Sequence, residues 1–271
     1  MSEPLPALHV TSIGDGSRTV VFLHGLLGQG RNLAGPARMI SDVARCLLVD
    51  VPNHGRSAWT EEFDYEFIAD LIADELSVRG ALDDPVILVG HSMGGKLAIC
   101  LTLDHPELVT KLCVVDIAPV SYSDSDYFEN LLDAMAGLDL TALDSRGDAD
   151  RALSTAIPDE RVRGFVLQNL HQEQGPRNAR PGRWSWLCNL ALLRANTDVL
   201  SGFPDLSGSH WDGPVLWVSG ENSGYVQPEY RPPMHELFPM VKEVVIPGAA
   251  HWVHADQPTA FGGVLRDFVL A

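Results

Sequence analysis

The sequence predicts an α/β fold, a mostly parallel sheet flanked by helices and carrying an inserted helical cap. Three observations predict it: short apolar runs alternate with helical patterns, each run stops in polar or glycine residues, and one long interval breaks the alternation. Parallel strands are covered by helices on both faces, so they read as continuous apolar runs rather than as an alternating pattern.

A first strand is expected near Leu8 to Ser12. Thr19 to Leu23 is β-rich and stops at His24-Gly25, Cys46 to Val49 stops at Asp50, and Val86 to Val89 stops at Gly90. Leu112 to Val115 precedes Asp116, Val215 to Val218 precedes Ser219-Gly220, and Val244 to Ile246 precedes Pro247-Gly248. Between these runs, Phe67 to Val78 carries apolar residues at helical spacing, Lys96 to Leu103 reads as a buried helix after a glycine turn, and Thr259 to Val269 makes a terminal helix. The long interval from Pro119 to Asp212 has helical stretches at Tyr127 to Met135 and Arg161 to Leu170. The expected division is therefore a core of residues 1–118 and 213–271 with a cap of residues 119–212. In such a sheet the ligand crevice lies beyond the carboxyl ends of the strands, where His24, Asp50, Ser92, Asp116 and His251 all fall. Trp184, Trp186, Phe128 and Phe165 are candidate apolar walls supplied by the cap, or equally the ordinary core of that cap.

The chain of 271 residues is long enough to bury a sizeable core, and 45% hydrophobic with 20% charged residues excludes disordered and collagen-like classes. Lysine and arginine number 19 against 36 aspartates and glutamates, a net charge of −17 that repels phosphate backbones and anionic lipid. No nucleic-acid or membrane partner is expected, and no apolar run approaches the roughly 18 residues of a membrane helix. Cys46, Cys100, Cys113 and Cys188 lie far apart, which points to buried reduced thiols rather than a zinc site or a disulfide framework. Met1 to His9 has neither a basic cluster nor an apolar core and fails as a signal or transit peptide, so a cytoplasmic location is expected, as monomer or homodimer.

Gly90-His91-Ser92-Met93-Gly94-Gly95 follows a β-run and opens a helix, the context of a nucleophile elbow, in which a strained turn exposes a serine hydroxyl. The helix starting at Met93 aims its free N–H groups at that oxygen. His24-Gly25-Leu26-Leu27-Gly28 lies past an earlier strand, where a backbone N–H can reach a developing oxyanion, so Leu26 and Met93 are the candidate donors. His24 is read as bracing this loop. The order serine, acid, histidine requires a late histidine as base, and His251 in Gly248-Ala249-Ala250-His251 fits, with His254 as competitor. The acid is less conventional. In Gly220-Glu221-Asn222-Ser223 the usual aspartate position carries Ser223, whereas Asp116 ends the earlier strand in Val115-Asp116-Ile117-Ala118-Pro119. Asp116 is preferred, Glu221 is the alternative acid, and Ser223 is assigned support of the histidine or the acid.

Together with Asp50-Val51-Pro52-Asn53-His54-Gly55-Arg56-Ser57, these motifs resemble the alpha/beta-hydrolase superfamily, in the branch of small bacterial acyl esterases and the mitochondrial abhydrolase domain-containing protein eleven. The likeness runs from about Val20 to the carboxyl terminus; it departs in lacking a transit peptide and in Ala250, where glycine is usual. The resemblance implies the alpha/beta-hydrolase fold, an acid at the position of Asp116, and esterase activity on small or medium acyl esters or thioesters without a cofactor.

Other chemistries fit less well. Asp50 follows a glycine loop by roughly 20 residues, as in a dinucleotide site, but the glycines do not fall as G-x-G-x-x-G. Among ten histidines there is no H-E-x-x-H and no Cys/His ligand spacing, so no metal is expected; His54, His91 and His210 read as structural or surface residues. A dehalogenase or epoxide hydrolase needs an aspartate where Ser92 stands. Acyl transfer, perhydrolysis or carbon–carbon bond hydrolysis by the same triad, and a receptor that has lost turnover, stay open.

Overall fold

The computed structural model describes residues 7–123, 126–173 and 182–271. Of the amino-terminal segment read above, residues 1–6 lie outside the described residues. The core strands are β1 (Val10–Ile13), β2 (Arg18–Leu23), β3 (Ala44–Val49), β4 (Val86–His91) and β5 (Val109–Val115), followed after a long insertion by β8 (Val215–Gly220) and β9 (Val241–Ile246). They form one seven-stranded sheet in the order β1-β3-β2-β4-β5-β8-β9. Only β1 runs antiparallel, pairing Val10 with Val49; the other pairings are parallel.

Side chains alternate across this sheet and build two apolar layers. Val20 and Phe22 face the layer completed by α1 (Ala34–Met39) and α11 (Pro258–Leu270). Val21 and Leu23 face the layer completed by α2 (Tyr65–Val78) and α3 (Met93–Asp104). Asp64 starts α2, its carboxylate accepting the N–H groups of Glu66 and Phe67, which are among the donors a helix start leaves unpaired. All four cysteines are free and buried.

The insertion between β5 and β8 holds α4 (Asp126–Ala136), α5 (Arg146–Leu153), α6 (Glu160–Leu167), α7 (Leu190–Ala195) and α8 (Thr197–Ser201). It is not wholly helical, because β6 (Leu170–Gln172) and β7 (Trp184–Trp186) pair as an antiparallel ribbon. The helix expected over Arg161 to Leu170 therefore stops at Leu167. Gln168 and Asn169 close the last turn on Phe165 and Val166, and the buried Asn169 amide turns away to donate to the Leu27 carbonyl at 2.8 Å. Leu132, Met135 and Val166 of the insertion join the same apolar cluster as Leu88 and Val114 of the sheet, and Asn169 and Leu200 of the insertion are hydrogen-bonded to Leu27 and Tyr65 of the core. The remaining helices are α9 (Arg231–Leu237) and α10 (Val253–Asp256). Among the described residues no helix is long and apolar enough to cross a membrane.

Candidate active site

Ser92 stands in the turn from β4 into α3 with φ 55° and ψ −124°. A non-glycine residue in this region costs on the order of 1–3 kcal/mol and persists only where its surroundings over-determine it. Here they do: the Ser92 N–H donates to the Val115 carbonyl at 3.0 Å, and its carbonyl accepts from Gly95 at 2.7 Å and Lys96 at 3.2 Å. Gly94 lets α3 sit against the end of β2, for a Cβ there would lie 2.3 Å from the Leu23 carbonyl oxygen.

One strand over, Asp116 ends β5, fully buried and also at positive φ (53°). Its Oδ1 accepts the Gly220 N–H at 2.9 Å, while its Oδ2 accepts the Ser223 hydroxyl at 2.5 Å. His251 Nδ1 donates to the same Oδ2 at 2.8 Å, and Ser92 Oγ lies 3.0 Å from His251 Nε2. A carboxylate on Nδ1 fixes the tautomer that leaves Nε2 free to accept a proton. Glu221 is exposed and its carboxylate accepts the Gly248 N–H at 2.8 Å. It braces the turn ahead of His251, and the imidazole is paired with Asp116.

Two other rings lie against that of His251. Tyr225 covers one side with centroids 4.1 Å apart, and His91 lies 4.8 Å away on a tilted plane. His91 is not a surface residue: it is buried, and its Nε2 donates to the His251 carbonyl at 2.8 Å. Burial, with His251 and His254 nearby, pushes the pKa of His91 well below the usual imidazole range. His254 belongs to α10 and packs against His91 and Phe261; burial pushes it down to about 4. His24 Nδ1 donates to the Gly25 carbonyl and its Nε2 accepts from the Val51 N–H. Desolvation lowers its pKa as well. His54 is buried beside it and pushed down to about 3, mainly by desolvation. The Asp50 carboxylate accepts the N–H groups of Gly30 and Arg56 and pairs with His9, which ties three loop segments together.

Ser92 sits where two cavities meet, and Leu26 lines both. Among the described residues neither the Leu26 nor the Met93 N–H is taken by a protein acceptor. Of the expected apolar walls, Phe128 lines both cavities and Phe165 lines one. Trp184 and Trp186 line neither: they belong to the ribbon, where the Trp184 indole donates to the Leu143 carbonyl at 3.0 Å. Tyr225, Trp252 and Lys96 are among the neighbours of the site that escaped the sequence reading. Lys96 is 2% exposed, and its lone positive charge in an apolar helix was the available signal. Burial pushes its amine down to about 7, while three carbonyl acceptors and two facing phenol rings favour the ammonium form. Among the described residues no group of three or more His, Cys, Asp or Glu is arranged to hold a metal ion.

Residues 18–258 match the family model of the alpha/beta hydrolase fold. The chain belongs to the alpha/beta hydrolase family. Within that family it is 35% identical to the sn-1-specific diacylglycerol lipase ABHD11 of Mus musculus over 274 residues, covering 98% of this chain and 86% of that protein. It is 30% identical to Esterase YbfF of Escherichia coli strain K12 over 250 residues, covering 92% of each. A solved family structure, a marine microorganism esterase, superposes with a TM-score of 0.90 at 30% identity, covering 97% of this chain and 99% of the other.

Proposed function

We propose that the chain is a serine carboxylesterase that hydrolyses small to medium acyl esters, thioesters included, through Ser92, His251 and Asp116. The observation that carries the reading is the hydrogen-bonded series from Ser92 Oγ to His251 at 3.0 Å and from His251 to Asp116 at 2.8 Å. Similarity to proteins named as esterases and a lipase supports ester bonds as the target. Residues 119–212 act as a cap on a core of residues 1–118 and 213–271.

In the first half-reaction Ser92 Oγ bonds to the ester carbonyl carbon as its proton passes to His251 Nε2. The carbonyl π pair moves to oxygen, and the N–H groups of Leu26 and Met93 hold the oxyanion, each contributing about 2.7–4 kcal/mol by the behaviour of related donors. Asp116 stabilises the imidazolium. Collapse of the tetrahedral intermediate breaks the bond to the alcohol oxygen, which takes the proton from Nε2 and leaves an acyl-serine. Water then repeats the sequence: its proton goes to Nε2, its oxygen bonds to the acyl carbon, and the Ser92 Oγ leaves and is reprotonated. The sum is ester plus water to acid plus alcohol.

The test is covalent. A fluorophosphonate should label Ser92, identified by mass spectrometry of the peptide, and Ser92→Ala should lose both the label and the hydrolysis of nitrophenyl esters. A label on another residue, or an alanine variant with near wild-type turnover, removes Ser92 from the mechanism. Turnover that survives a strong chelator is expected; loss of activity with removal of a stoichiometric metal overturns the cofactor-free reading.

A further inference from the structure

The two cavities at Ser92 differ in which catalytic group they touch, and on the mechanism proposed above that difference orients the substrate. The smaller, of about 280 Å³, includes Met93 and Lys96 but not His251. The larger, of about 440 Å³, includes His251, Phe165 and Trp252 but neither Met93 nor Lys96. The proton for the departing alcohol comes from His251 Nε2, and proton transfer needs donor and acceptor within about 2.6–3.2 Å. The alcohol oxygen therefore lies on the His251 side, and the rest of the alcohol extends into the cavity that His251 lines. The remaining substituent of the carbonyl carbon, the acyl chain, is directed into the cavity along α3.

Along α3 the wall of that smaller cavity is polar. Lys96 lies one turn beyond Ser92 on the same face of α3, since residues four apart are neighbours on a helix. Its Nζ donates to the carbonyl oxygens of Leu200 at 3.3 Å, Ser201 at 2.9 Å and Gly202 at 2.5 Å. Tyr65 donates its hydroxyl to the Leu200 carbonyl at 2.8 Å. The rings of Tyr65 and Tyr122 lie 5.4 and 5.1 Å from Nζ. Every ammonium hydrogen is thereby used, and the C-terminal carbonyls of α8 are tied to the helix that carries the nucleophile. A chain long enough to reach this knot meets a surface it cannot hydrogen-bond, and it can pass only by breaking charge-assisted bonds.

We infer that the cavity from Ser92 to Lys96 is the acyl site, that the cavity beside His251 takes the alcohol, and that Lys96 is the residue that limits acyl length. The enzyme then discriminates among acyl chains and tolerates bulk in the alcohol. Lys96 acts on specificity without taking part in bond making.

Two ester series test this in the full-length protein: nitrophenyl esters from acetate to dodecanoate, and acetates of alcohols of increasing size, with rates normalised to sites titrated by fluorophosphonate. The variants are Lys96→Met and Leu200→Ala, both in the smaller cavity, and Phe165→Ala, in the larger. Wild type should lose about tenfold or more in kcat/KM between hexanoate and dodecanoate, the scale of discrimination one or two methylenes can give. Lys96→Met and Leu200→Ala should raise the dodecanoate-to-butyrate ratio while leaving the alcohol series in its wild-type order. Phe165→Ala should reorder the alcohol series and leave the acyl series as it was. Leu200→Ala carries the test if Lys96→Met yields no titratable site. The opposite pairing of variants with series, or unmoved profiles in an active enzyme, overturns the assignment alone. A wild-type protein inert to every ester overturns the esterase reading, and the assignment falls with it.

Discussion

Tyr225 lies on the ring of His251, with centroids 4.1 Å apart and planes 31° from parallel. An aromatic face attracts a cation by roughly 0.5–2 kcal/mol, and the proposed reaction makes His251 cationic only when the tetrahedral intermediate forms. The ring of His91, 4.8 Å away, is pushed toward its neutral form by burial, so it sets no like charge against the imidazolium. Because the attraction is made in the transition state and not in the resting enzyme, it acts on kcat.

Tyr225→Leu should therefore lower kcat by about 3- to 30-fold with little change in KM for a short acetate, the range that a cation–π contact spans. Tyr225→Phe should restore most of it, because the ring and not the hydroxyl faces His251. Steady-state kinetics on nitrophenyl acetate measure both. Equal losses in Leu and Phe variants would assign the effect to packing or to the hydroxyl.

The approach of α3 to β2 yields a prediction about stability. Gly94→Ala places a methyl group 2.3 Å from the Leu23 carbonyl oxygen and 2.6 Å from that of His24, both backbone atoms that cannot swing aside. A loss of about 1–3 kcal/mol is expected from overpacking, and the strain falls on the segment that carries Leu26, so activity should fall further than stability accounts for. Urea unfolding alongside active-site titration separates the two; a fully stable variant contradicts the close packing.

Acid sensitivity follows from the buried histidines. His54 and His254 are pushed to about 3 and about 4 by desolvation, and His24 and His91 are also lowered. In the unfolded chain each titrates near its ordinary value of about 6.5. Between that pH and the lowered folded values the unfolded state binds more protons, so stability falls as pH drops, by up to about 1.4 kcal/mol per pH unit for each group. The urea midpoint should decline from pH 6.5 to pH 5, before most carboxylates titrate, and His54→Asn should flatten that decline by about one proton. A midpoint constant across this interval contradicts the neutral burial of these rings.

The strands were legible because burial on both sheet faces writes continuous apolar runs, each cut off by the residue that turns the chain. For this reason Ser92, Asp116 and His251 could be placed at strand ends before their distances were known. The ribbon β6–β7 was not legible: Leu170–Gln172 continues the apolar spacing of α6, and the bonds that hold the chain where that helix stops are tertiary, from Asn169 to Leu27 and from Gln29 and Asn32 to Gln168. Helices α1 and α9 carry internal prolines and are too short for a helical period to stand out. For Trp184 and Trp186 the sequence leaves wall and cap core open for a related reason, since which large side chains face a cavity depends on how the insertion folds back. Lys96 was read as part of a buried helix, although a lysine there required acceptors from elsewhere in the chain, which α8 and Gly202 supply.

The identity of the acid separates geometry from habit most sharply. Asp116 is buried with its carboxylate held by Gly220, Ser223 and His251, whereas the Glu221 carboxylate is exposed and braces Gly248. If Asp116 orients the imidazole, Asp116→Asn should leave the protein folded but lower kcat by about 10³- to 10⁴-fold, since the amide favours the wrong tautomer and leaves the imidazolium unstabilised. Glu221→Gln should cost at most about tenfold, the scale of a lost nearby charge rather than of a member of the catalytic series. Ser223→Ala should fall between them, because it removes one of the donors to Oδ2 while the carboxylate keeps its charge and its bond to Nδ1. Circular dichroism confirms folding and nitrophenyl ester kinetics read the losses. A larger loss in Glu221→Gln than in Asp116→Asn moves the acid to the later loop, and equally small losses in both reduce the mechanism to a serine and histidine pair.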